Sequence, residues 1–170
     1  MGSMQANFSS SRRGALLFSA LALAGCGFEL RKAPVFAFKT ISVKGNSAIV
    51  NLLRRNLQAS GTVQVIPAEQ ADTAEAVLEV LGEERSRLVL STTSAGLVRE
   101  LDLVLRFRFR LSTPGGKELL GPTTLEQRRD LTFNETNALA KEGEAELLYR
   151  DMQKDLAEQT VRRLGAVKQL

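Results

Sequence analysis

The chain has 170 residues, 44% of them hydrophobic and 25% charged, which is enough to bury one core without disulfides or metal. Histidine is absent and cysteine occurs once, which excludes Ser–His–Asp and Cys–His nucleophiles, an intramolecular disulfide and His- or Cys-rich metal sites. The formal charge is +4, and loss of Arg12 and Arg13 with a cleaved leader leaves 21 cations against 19 acids, so the overall charge implies no nucleic-acid partner.

Arg12-Arg13 precedes an apolar run, Gly14 to Gly25, that ends at Cys26. A positive pair, about a dozen apolar residues and small residues before a cut form a secretory signal. The run is shorter than the roughly 20 residues a membrane span needs. Leu23-Ala24-Gly25-Cys26 resembles the bacterial lipobox. That resemblance implies a diacylglyceryl group on the Cys26 sulfur, cleavage before Cys26 and acylation of the new amino group. Buried acyl methylenes contribute about 0.8 kcal/mol each, so two or more chains anchor firmly. Gly27, where inner-membrane lipoproteins usually carry Asp, points to the outer membrane.

Phe28 to Lys39 reads as a tether. Thr40–Val43 is a short strand, followed by a helix from Ser47 to about Ala59 with Asn46 or Ser47 as cap and Gly61 beyond its end. Thr62–Ile66 is a second strand closed by Pro67, and Glu69–Ala74 is a polar connection. Ala76–Leu90 is a third strand, with Leu78, Val80, Leu88 and Leu90 in one phase and Glu79, Glu83, Arg85 and Arg87 in the other; Gly82 marks a candidate bulge. Ser91–Gly96 is a small, polar hairpin tip.

The strongest periodicity lies in Leu97–Leu111. Its odd positions include Leu97, Leu101, Leu103, Leu105, Phe107, Phe109 and Leu111, with Arg99 among them. Its even positions include Glu100, Asp102, Arg106, Arg108 and Arg110. Successive strand side chains point to opposite faces, so this is a half-buried antiparallel strand. Thr113–Gly116 makes the next turn, and a further strand lies within Lys117–Phe133, interrupted by Gly121-Pro122. A long helix closes the chain from about Thr136 to Arg163, with Ala145, Leu148, Tyr149, Met152, Leu156 and Leu164 near one side. The order β-α-β-β-β-α predicts an α+β fold: one antiparallel or mixed sheet of four to five strands with two helices packed on one face.

Arg106, Arg108 and Arg110 recur about every 7 Å along one strand face, a row able to track phosphates or carboxylates through planar guanidinium forks. The competing reading is a solvated face with cross-strand pairs to Glu83, Glu126 and Asp130. Phe107 and Phe109 point away from the arginines, which removes the base-stacking arrangement an RNA-binding face needs. Glu83-Glu84 points to both faces and forms no dyad. Glu142, Glu146 and Arg150 sit at the spacing of helix surface pairs. No catalytic constellation, cofactor motif or metal-ligand cluster is present, which disfavours an envelope hydrolase.

Cys26-Gly27-Phe28-Glu29-Leu30-Arg31, the segment from Phe133 through Asn137-Ala138-Leu139-Ala140-Lys141-Glu142 and Glu144, and Tyr149 to Leu164 with Met152 and Arg162-Arg163 together resemble the LPS-assembly lipoprotein LptE (rare lipoprotein B) family. The resemblance implies a cleaved leader over 1–25, a lipidated tether over 26–39, an α+β domain over 40–165 and a tail over 166–170. It implies an outer-membrane lipoprotein without enzymatic activity, facing the periplasm, that plugs the LptD β-barrel and binds lipopolysaccharide (LPS). Arg106, Arg108 and Arg128 are the lipopolysaccharide-binding candidates it gives, followed by Arg99 and Arg110; the tip Ser91–Gly96 lacks the basic residue expected in some relatives. A lipoprotein scaffold or export accessory without lipopolysaccharide binding is the alternative.

Overall fold

The computed structural model describes residues 34–170; the leader, the lipobox with Cys26 and the tether up to residue 33 lie outside the described residues. Five strands form one mixed sheet in the order β2-β1-β3-β4-β5. They are β1 (Thr40–Lys44), β2 (Gln64–Ile66), β3 (Ala76–Thr92), β4 (Val98–Ser112) and β5 (Glu118–Thr132). Two helices, α1 (Ala48–Ser60) and α2 (Ala138–Gly165), cover one face. The predicted class is that observed, with five strands in the chain order β-α-β-β-β-β-α. The stretch expected to be a polar connection is instead a 3-10 turn over Ala68–Thr73.

β1 pairs in parallel with both β2 and β3, so the α1 crossover delivers β2 to the sheet edge; β3, β4 and β5 are antiparallel neighbours. α1 begins where Ser47 Oγ accepts the Val50 N–H at 3.3 Å and ends at Gly61, whose φ of 66° suits a residue without Cβ. The turn into α1 turns on Gly45, at φ 130°, where a Cβ would stand 3.2 Å from Val50 Cγ2.

The core lies between the helices and the sheet, and along β4 and β5 it runs from Leu111 to Leu103 and Leu131. Phe107 and Phe109 are fully buried with ring centroids 5.6 Å apart, among Leu53, Leu57, Leu78, Leu105, Met152 and Leu156. Each such side chain contributes about 1.5–3 kcal/mol on burial. Part of the expected tether joins this core: Phe36 and Phe38 are buried and stacked at 5.3 Å. Their alternation with small residues was too short a signal to identify a packed segment.

One expectation fails in an instructive way. The β3–β4 register slips between Val80 and Gly82, so Leu81 is the extra residue of a bulge. Beyond it the phase of β3 inverts. Leu88 pairs with Asp102 on the uncovered face, while Glu83, Arg85 and Arg87 pair with Phe107, Leu105 and Leu103 on the helix side. Glu142 and Glu146 are therefore not merely intrahelical surface pairs. Arg87 donates to both Glu142 oxygens at 2.7 and 2.8 Å, and Arg85 reaches Glu146 at 3.3 Å. Arg85 also lies 4.8 Å above the Tyr149 ring, and the Tyr149 hydroxyl donates to the Ser86 carbonyl oxygen. A second slip between Val89 and Ser91 precedes the hairpin tip.

Candidate functional site

Neither described helix covers the outer face of β3–β5, which carries the even-numbered residues of β4 and their cross-strand partners. Arg106, Arg108 and Arg110 project from β4 and Arg128 from β5, all exposed. Cross-strand registry brings these four together. Arg99 is not among them: it lies at the tip, skipped by the slip that pairs Ser91 with Glu100 and Thr92 with Val98. It lines a separate open cleft of about 470 Å³ with Leu97, Val98, Phe133 and Glu135.

The four arginines of the outer face differ in what holds them. Arg106 Nε donates to Glu126 Oε2 at 2.6 Å, with Glu84 at 4.0 Å on its other side. Arg128 Nε donates to Glu126 Oε1 at 2.7 Å, and its Nη1 donates to Asp102 Oδ2 at 2.7 Å. Glu126 thus bridges two guanidiniums, and their hydrogen bonds, Arg128's first, hold its carboxyl below the usual range. The same Glu126 contact, with the nearby Asp102 charge, raises the Arg128 pKa. Arg110 places Nε and Nη2 on one Glu79 oxygen at 2.8 and 2.6 Å. Cross-strand carboxylates therefore occupy three of the arginines, and Glu79 and Glu84 take the place expected of Glu83, which the bulge sends to the other face.

Arg108 stands apart. Its cross-strand neighbours are Gly82 and Thr124, and it has no ion pair or side-chain hydrogen bond among the described residues. A Cβ built at Gly82 would meet nothing within 4 Å, so the bulge leaves open space beside this guanidinium. Asp102 and Val104 are buried on the same face, beside the stem of Arg128, which pairs across from Val104. The second Asp102 oxygen has no partner among the described residues, and Asp130 lies directly across from it.

The hairpin tip adds a feature that strand periodicity did not reveal. Leu88, Leu90 and Leu97 are 47%, 53% and 49% exposed, and Val89 is exposed beside them. Leu88 and Leu90 had been expected in the buried phase; two register slips in one strand undo that expectation. Among the described residues no group of His, Cys, Asp and Glu could hold a metal ion, and no helix is long and apolar enough to cross a membrane.

Comparison with known proteins places this arrangement. The profile of the LptE lipopolysaccharide-assembly family matches residues 38–164. Proteins of Yersinia pestis and Yersinia pseudotuberculosis named LPS-assembly lipoprotein LptE are 30% identical over 152 residues, covering 86% of this chain and 72% of theirs. The solution structure of an uncharacterized lipoprotein B from Nitrosomonas europaea superposes with a TM-score of 0.70 at 31% identity, over 82% of this chain and 91% of that one. The crystal structure of rare lipoprotein B from Shewanella oneidensis gives 0.65 at 28% identity, over 75% and 94%. With the family profile matching residues 38–164 and named relatives 30% identical over most of their own length, the chain belongs to the LptE family of lipopolysaccharide-assembly lipoproteins.

Proposed function

We propose that the chain serves lipopolysaccharide assembly as an outer-membrane lipoprotein, moored by lipid on Cys26, that seats its uncovered sheet face in the lumen of the LptD β-barrel and binds lipopolysaccharide there. The observation that carries this reading is a long sheet face left bare by both helices yet charged and polar along its length. At about 3.3 Å per residue, the 15 residues of β4 extend roughly 50 Å. A barrel lumen is polar, so such a face can pack there without the apolar patch that marks most docking surfaces. The role is one of binding and assembly, with no chemical step.

On this face Arg108 is the first contact for a lipid phosphate, because it has no carboxylate to give up. Arg106, Arg128 and Arg110 are preoriented by Glu126, Asp102 and Glu79 and take part by exchanging a carboxylate for a phosphate oxygen. Arg99, beside Leu97 and Phe133, is placed for a phosphate whose acyl chain lies along the tip. Charge-assisted hydrogen bonds contribute about 1.5–3 kcal/mol each, so Arg106→Gln/Arg108→Gln is expected to lower retention on immobilised lipopolysaccharide about tenfold or more, with an unaltered circular dichroism spectrum. Undiminished retention would favour the scaffold reading, which the ion pairing of three arginines with the protein's own carboxylates supports.

A further inference from the structure

The least compensated cluster of positive charge described in the protein lies on the side opposite the sheet's outer face. α1 and α2 run parallel, since each returns antiparallel to a strand of the same direction, and an open groove of about 710 Å³ lies between them. Arg54 and Arg55 of α1 face Arg150 and Lys154 of α2 across this groove, and no acidic residue lines it.

The partners of these cations matter more than their number. Arg54 donates to the carbonyl oxygens of Val43 and Gly45 and to Asn51 Oδ1, all neutral acceptors, so its position is fixed while its charge stays uncompensated. Arg55 has no partner among the described residues. Arg150 donates to the Glu146 backbone carbonyl oxygen of its own helix, and its charge also reaches the Asp151 carboxyl. Lys154 pairs directly with that same Asp151, and the pair is largely exposed. Two guanidiniums with unspent charge, Arg54 and Arg55, and a third, Arg150, that shares only an exposed carboxylate therefore converge on one groove, whereas three of the four on the outer sheet face are already occupied by hydrogen-bonded carboxylates.

The remaining lining narrows the ligand. Asn51, Gln58 and Gln153 place three carboxamides among the cations, and Leu52 with Ala48 supplies an aliphatic floor. Gln153 is buried, and its amide nitrogen donates to Glu83 Oε1 at 3.3 Å, which leaves its carbonyl oxygen for a donor. The Asn51 oxygen is taken by Arg54, which leaves its amide N–H groups. Guanidiniums bind phosphate oxygens bidentately. Carboxamides offer both a donor and an acceptor, as sugar hydroxyls require and a bare phosphodiester does not.

We propose that the α1–α2 groove is a binding site for a phosphorylated sugar, the phosphate held by Arg55 and Arg150 over the fixed Arg54 and the sugar hydroxyls by the carboxamides. The proposal rests on the chemistry of the groove and is independent of what the sheet face binds. It is tested on the full lipidated chain reconstituted in phosphatidylcholine vesicles by calorimetric titration with glucosamine 6-phosphate, glucosamine, inorganic phosphate and phosphatidylglycerol vesicles. Glucosamine 6-phosphate is expected to bind at least tenfold more tightly than glucosamine or inorganic phosphate and more tightly than the vesicles. Arg55→Glu/Arg150→Glu, both exposed positions, should weaken it at least tenfold with unchanged thermal unfolding, while Lys168→Glu, exposed beyond the end of α2, leaves it unaltered. Absence of wild-type binding, undiminished binding by the groove variant, or equal binding of phosphate or vesicles would each overturn the proposal. Loss of lipopolysaccharide retention in the arginine-row variant, tested separately, bears only on the sheet face.

Discussion

The two halves of the β3–β4 ribbon are built on different physics although one continuous hairpin forms both. Near β1, the helix-facing residues are Leu78, Phe107, Phe109 and Leu111, sealed by α1 and the later turns of α2. Toward the tip, the helix-facing residues of β3 are Glu83, Arg85 and Arg87, and the first turns of α2 are held by Glu142 and Glu146 through ion pairs. A single inserted residue at Leu81 separates the two regimes. The root is stabilised by apolar burial that tolerates salt and acid; the tip is clipped by exposed charges whose individual contributions are small and leaves Leu88, Leu90 and Leu97 in the open.

The contrast is broken most severely at the root. Phe107→Ala at the root should cost about 3–5 kcal/mol, whereas Leu90→Ser at the tip should change stability by about 0.5 kcal/mol or less, both read from the same unfolding curves.

Acid separates the halves more gently. The Arg87 hydrogen bond holds the Glu142 carboxyl below its usual range. A group depressed in the folded state contributes stability present above its unfolded value, about 4.3, and lost as pH falls through the lower folded value. Hydrogen exchange at residues 138–148, corrected for intrinsic rate, should therefore accelerate relative to residues 152–161 on going from pH 6 to pH 3. Equal responses would show that the clip does not hold the first turns of α2. Arg87→Ala should produce the same local acceleration at pH 6 with little change in global unfolding, the smallest of these effects.

Much of the fold was legible because its signals are local. The alternation in Leu97–Leu111, the Ser47 and Gly61 caps and the apolar side of the last helix each act within one element, and element order with right-handed connectivity leaves few arrangements. What periodicity missed was the identity of facing residues. Gly82 flagged the bulge, but only the register against β4 shows that the extra residue is Leu81 and that the side chains from Gly82 to Val89 change face. The arginine row and its pairing with Glu126 were visible in sequence; its occupation by Glu79, Glu84 and Asp102 was not, because the register between strands decides which acids face it. The basic groove was invisible for the same reason: Arg54-Arg55 and Arg150 with Lys154 look like ordinary solvated helix faces until parallel packing sets them opposite each other.

The claim that the bare sheet face is the working surface is tested most directly by photo-crosslinking from that face in the intact envelope. With a photoreactive residue replacing Thr124, exposed beside Arg108 on β5, the account predicts an adduct with the LptD barrel that is abolished when that barrel is depleted. Adducts obtained only from the helix side, for example from exposed Leu147, and none from Thr124 would contradict it.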